Sequence, residues 1–137
     1  MIKDQQRLAD IRQQWTTVAK LCQSPPPTYQ SHGGFVNETR PADSYNLPFV
    51  LAFAVLDQVF DSLIDQGEYA CKSRQLGAKM KTSEKVLPWK DYALVDAARM
   101  ARNRLAHLAD LRPKDECLKH VAAIESELKA WKILRLF

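Results

Sequence analysis

The chain has 137 residues, a net charge of +4, a pI near 9.0, 46% hydrophobic residues and 26% charged residues. That length supports one domain around one core, and the apolar fraction excludes a disordered chain. The mild basicity suits a polyanionic partner without requiring one.

The cysteines Cys22, Cys71 and Cys117 are odd in number and widely spaced. They form no disulfide framework and read as free thiols of a cytoplasmic protein. The opening Met1-Ile2-Lys3-Asp4-Gln5-Gln6 is polar, so no signal peptide is expected. The longest apolar run, Phe49 to Leu56, is too short to span a bilayer, and no membrane association is expected.

Leu8, Ile11, Trp15, Val18 and Cys22 step by three and four, which predicts a first amphipathic helix from about Ile2 to Cys22, stopped by Ser24-Pro25-Pro26-Pro27. Residues 23 to 46 form a long connection containing Tyr29, His32, Arg40 and Tyr45. These side chains can reach a substrate, and the plainer alternative is an Ω-like surface loop. Asn46 or Ser44 can cap a second helix that tolerates Pro48 in its first turn and runs to about Gln66. Its apolar residues cover most of the circumference, so it should be the most buried helix. Its wet stripe is Asp57, Asp61 and Asp65, which repel one another unless cations face them. The arginines of the third main helix are candidates for that pairing. A metal site is the alternative, opposed by the lack of a histidine at ligand spacing.

Residues 67 to 90 are basic and suggest a short helix or irregular segment over the core, with Lys79 and Lys81 available to phosphates. Pro88-Trp89 begins the third main helix, which ends near Asp110-Leu111-Arg112. Leu94, Ala97, Ala98, Ala101, Leu105 and Leu108 give it one apolar stripe. Asp96, Arg99, Arg102, Asn103, His107 and Asp110 fall within an opposite arc of roughly 140°. Pro113 opens a fourth main helix, with Asp115 and Glu116 at the positive end of its dipole and a stripe of Cys117, Val121, Ile124, Leu128 and Trp131. The apolar end Ile133-Leu134-Arg135-Leu136-Phe137 either docks on the core or belongs to a subunit interface. These elements predict an all-α, up-down four-helix bundle in a single domain, residues 1-137.

The polar face of the third main helix carries Arg102-Asn103-Arg104-Leu105-Ala106-His107. This string resembles the Arg-polar-x-x-x-His signature of the HEPN superfamily, helical bundles of which many are metal-independent ribonucleases. The resemblance implies the same bundle and an RNA partner, with no cofactor and no metal. It also implies a homodimer that pairs two motifs across a cleft. Toxin members of the superfamily often carry a Tyr two residues after the His. Here that position is Ala109, so regulation by nucleotide transfer onto such a Tyr is not expected, although a different antitoxin or regulatory protein remains compatible.

The residues fit the chemistry. RNA supplies its own 2′-hydroxyl nucleophile. A histidine suits proton transfer near neutral pH, which assigns His107 as acid/base. A guanidinium donates several charged hydrogen bonds, which assigns Arg102 as clamp on the phosphate in the transition state. Asn103, four residues before His107, can orient the imidazole, and Arg99 joins Lys79 and Lys81 as substrate-binding cations. Arg102 and His107 lie about 140° and 7.5 Å apart on the helix, so a site combining them is expected to need a groove with a second copy of the helix opposite. The competing reading is a non-catalytic RNA-binding, nucleotide-binding or protein-interaction module using the same basic face. The absence of a Gly-rich phosphate loop or nucleophile elbow argues against other enzyme classes.

Overall fold

The computed structural model describes residues 1–23 and 41–135, together with the backbone of two three-residue strands between them. The fold is all-helical in character. Five helices, α1 (Gln5–Cys22), α2 (Asn46–Asp65), α3 (Leu76–Ser83), α4 (Tyr92–Leu108) and α5 (Lys114–Ala130), carry the core. Strands β1 (Tyr29–Ser31) and β2 (Gly34–Val36) pair antiparallel with Gln30 opposite Phe35. The side chains of Tyr29, His32 and Arg40, singled out above for the long connection, lie outside the described residues. Tyr45 is buried in the core rather than presented to a substrate.

Helix α2 is the hub and packs against α1, α3, α4 and α5. Phe49, Phe53, Leu56, Val59, Phe60 and Leu63 are all buried, each contributing about 1.5–3 kcal/mol of transfer free energy. By length and mean hydropathy (1.7) alone, the stretch Ala42–Asp65 is long and apolar enough to cross a membrane, a property that a buried core helix shares. In this fold, 56% of that apolar window is buried by the other helices.

Helix α1 is capped by Asp4, whose Oδ1 accepts from the amides of Gln6 (3.0 Å) and Arg7 (3.2 Å). Its buried face is the predicted one: Leu8, Ile11, Trp15 and Val18. The start of α2 differs from expectation. Neither Ser44 nor Asn46 caps it with a side chain. Instead a short 3-10 helix, Ala42–Tyr45, runs directly into it. The buried Asn46 makes a two-way bridge: Nδ2 donates to the carbonyls of Asp43 (2.8 Å) and Arg112 (2.9 Å), and Oδ1 accepts from the Arg112 amide (2.9 Å). The entry to α2 is thereby pinned to the turn between α4 and α5.

Helix α4 begins at Tyr92, later than Pro88-Trp89, because Asp91 provides the cap to Leu94 at 3.1 Å. It ends at Leu108, where Ala109 turns into the left-handed region (φ 53°). Helix α5 matches its predicted stripe: Cys117, Val121, Ile124, Leu128 and Trp131 are buried. The buried carboxylate of Glu127 was not foreseen. It accepts from the amides of Lys90 (2.8 Å) and Asp91 (2.9 Å), tying α5 to the start of α4. The alternative left open for the chain end is resolved at Ile133 and Leu134. Both are buried, and Arg12 Nε holds the Ile133 carbonyl at 2.8 Å.

Candidate functional site

The polar motif is set by how α4 rolls against α2. The buried residues of α4 are Val95, Ala98 and Ala101, with Leu105 packed partly against the core. The predicted stripe is therefore rotated by about 50°. Ala97 and Leu108 leave the core, and Leu108 is 73% exposed. The rotation brings Arg102 to the core's edge, where its guanidinium carbon sits 5.7 Å from the centre of the Phe53 ring. Stacking of this kind stabilises a cation on an aromatic face.

Arg99, Arg102, Asn103 and His107 line one cleft of about 350 Å³. Its other wall is Gln75, Leu76 and Gly77, the beginning of α3. Two helices of one chain, α3 and α4, thus line this cleft. Gly77 permits the close approach. A Cβ there would lie 2.9 Å from Nη1 of Arg99, so a side chain at this position would require the end of Arg99 to shift. Sequence reading missed this wall. The available signal was an isolated glycine inside the helix-forming string Leu76-Gly77-Ala78-Lys79-Met80.

The charges of the cleft are unbalanced. Arg99 is held by Asp96, Nε to Oδ1 at 2.9 Å. Arg102 has no salt bridge among the described residues, and its Nε is buried without a hydrogen-bond partner. Burial, then repulsion from Arg99, pulls its pKa below the ordinary arginine value, with Asp57 opposing. His107 is exposed on the last turn of α4. Neither the His107 nor the Asn103 side chain makes a hydrogen bond among the described residues, so the imidazole-orienting contact expected between them is not formed. The four-residue spacing permits that contact without enforcing it.

Lys79 and Lys81 are placed elsewhere. Lys79 is only 4% exposed, and its ammonium meets Asp57 at 3.0 Å and Asp61 at 2.6 Å. Burial pulls its pKa down, but the hydrogen bonds and charges of the two carboxylates more than offset this and raise it. A cation so neutralised is not offered to a substrate phosphate, which corrects its assignment as a binding residue. Lys81 is exposed, on the last turn of α3 and apart from the cleft-lining residues. The acidic stripe of α2 is also answered differently from expectation: Asp57 and Asp61 pair with Lys79, and Asp65 pairs with Arg7 at 2.9 Å, rather than with the arginines of α4. Among the described residues, no group of three or more His, Cys, Asp or Glu side chains is placed to hold a metal ion.

Comparison with known proteins found no matching family model, no matching curated protein and no matching solved structure.

Proposed function

We propose that this protein is a metal-independent endoribonuclease of the HEPN type, a four-helix bundle built from α1, α2, α4 and α5. The observation that carries the reading is the convergence of Arg99, Arg102, Asn103 and His107 on one cleft. An exposed histidine beside an unpaired, partly buried guanidinium suits a phosphodiester, which needs proton transfer and charge stabilisation together.

In the proposed reaction, the 2′-hydroxyl loses its proton to a general base and its oxygen bonds to phosphorus. The P–O5′ bond then breaks, and the leaving 5′-oxygen takes a proton from a general acid. The products are a 2′,3′-cyclic phosphate and a 5′-hydroxyl. His107 of one protomer performs one of the two proton transfers, and Arg102 holds the non-bridging oxygens as charge builds on them. The second transfer falls to His107 of a second copy in a homodimer. Two exposed apolar side chains of α4 are available to such pairing: Met100 is 54% and Leu108 73% exposed, with the exposed Arg104 between them on the same face. RNA is the proposed partner and the cytoplasm the proposed setting. A toxin, antiphage or RNA-processing role controlled by a separate regulatory protein is compatible with the same chemistry.

Incubating the purified protein with a mixed RNA pool in EDTA, beside His107→Ala, tests this. The expected outcome is cleavage by the wild type and at least a hundredfold loss in the variant, the usual scale for losing acid/base catalysis. Because His107 is exposed, thermal stability should be unchanged within about 0.5 kcal/mol. Equal cleavage by both proteins would refute the assignment.

A second reading, a binding module without turnover, is favoured by one observation: the His107 side chain has no orienting partner among the described residues. It predicts RNA binding weakened by Arg102→Ala and no cleavage under any condition.

A further inference from the structure

Arg102 lines the cleft without a carboxylate, and the reason lies on α3. Its guanidinium carbon sits 5.7 Å from the centre of the Phe53 ring on α2. Asp57 is four residues on from Phe53, one turn further along the same face of that helix. It is also the carboxylate whose charge acts on Arg102. A partly buried guanidinium with an orphaned Nε would gain by pairing with it. No such pair forms. Asp57 instead accepts from Lys79 Nζ at 3.0 Å, and the same ammonium holds Asp61 at 2.6 Å. Lys79 is buried, so its ammonium has little water to turn to and stays on the two carboxylates. The other arginine of the cleft, Arg99, is tied to Asp96.

The balance of charge turns on Lys79. With it in place, two carboxylates share one cation. Without it, Asp57 and Asp61 would stand four residues apart on one helix face and repel each other. Arg102 is the cleft arginine with no carboxylate to hold it, and it lies over the same face of α2. We propose that Lys79 is a positioning residue for Arg102: by occupying Asp57, it keeps the guanidinium available to the cleft instead of withdrawn into an ion pair with α2. The helix that walls the cleft thus also neutralises the acidic stripe beneath it. That the freed guanidinium serves RNA cleavage rests on the ribonuclease reading; its freedom from Asp57 does not.

The test follows the Nε–H signal of Arg102 by NMR in isotope-labelled protein, identified by its loss in Arg102→Lys. In the wild type, Asp57→Asn should leave that signal close to its place. Lys79→Met should move it and slow its exchange with water, as the freed carboxylate accepts from the guanidinium. Adding Asp57→Asn to Lys79→Met should return the signal towards its wild-type position. A merely structural lysine predicts the opposite, because the second substitution would add to the damage. Should Lys79→Met fail to fold, Lys79→Gln removes the charge, keeps donors for the carboxylates and carries the same expectation. A signal unmoved in the lysine variant, or one that does not return with Asp57→Asn, would overturn the proposal. Cleavage of RNA should follow the same pattern: about a tenfold or greater loss in Lys79→Met, the scale of a misplaced transition-state donor, and recovery in the double variant. The two proposals fail separately. Wild-type cleavage with an unmoved signal would remove the role of Lys79 alone, whereas a signal that moves and returns in a protein that cleaves no RNA would remove the ribonuclease alone.

Discussion

Arg102 stands on a boundary: its guanidinium lies over Phe53 on one side and lines the cleft on the other. A half-buried arginine without a carboxylate costs solvation, and that cost falls when an anion arrives. Cys117 illustrates the opposite use of burial. Its thiol is enclosed, and burial, followed by the charge of Glu116, pushes its pKa up to about 11 from an ordinary value of 9.0. In the unfolded chain the thiol ionises near its ordinary value, while in the fold it stays neutral. Its contribution to stability is therefore fully present below pH 9 and lost as pH rises from 9 towards 11. Chemical denaturation at pH 8 and pH 10 should show a steeper loss in the wild type than in Cys117→Ala. The same enclosure predicts that a thiol reagent modifies Cys22 and Cys71 in the native protein well before Cys117.

At the scale of elements, the candidate site depends on where α4 starts and how it is rolled. Glu127 fixes the start by accepting from the Lys90 and Asp91 amides. Glu127→Ala should destabilise the protein by about 1–3 kcal/mol, because two backbone donors lose their acceptor. A thermal melt lowered by several degrees, with far-UV helix content retained at low temperature, would be the observed result. Helices α1 and α5 were legible in the sequence because large side chains at three- and four-residue steps leave little doubt about the buried face. Helix α4 was legible as a helix but not in its roll. Alanines dominate it, and a methyl group contributes too little to outweigh packing against Phe53 and its neighbours. The motif residues were found from their spacing. The α3 wall was not, because it comes from an element separated in sequence and unmarked except by Gly77. Lys79 was misjudged for the same reason: a lysine in a basic stretch looks solvated until the fold sets two carboxylates of α2 beside it.

For the molecule as a whole, association remains the proposal that completes the chemistry. Ala97, Met100 and Leu108 of α4 are exposed, with Arg104 between the last two on the same face and His107 exposed beside them. Covering this face with a second copy would bring the two His107 side chains towards each other. Leu108→Glu should leave the fold intact, since the side chain is 73% exposed, while shifting sedimentation from dimer to monomer and reducing cleavage. A wild-type protein that sediments as a monomer at high concentration would sink the shared-cleft arrangement.

The Asn46 bridge links residues 66 positions apart in the chain. Closing so long a loop is entropically slow, so this joint cannot lock until much of the chain has already collapsed. The turn that follows the motif helix is therefore expected to order late, which low φ-values for substitutions at Asn46 would show. A nascent or partly folded chain would carry Arg102 and His107 on a formed helix yet lack the fixed turn behind them. Maturation of the site would then coincide with completion of the fold rather than precede it.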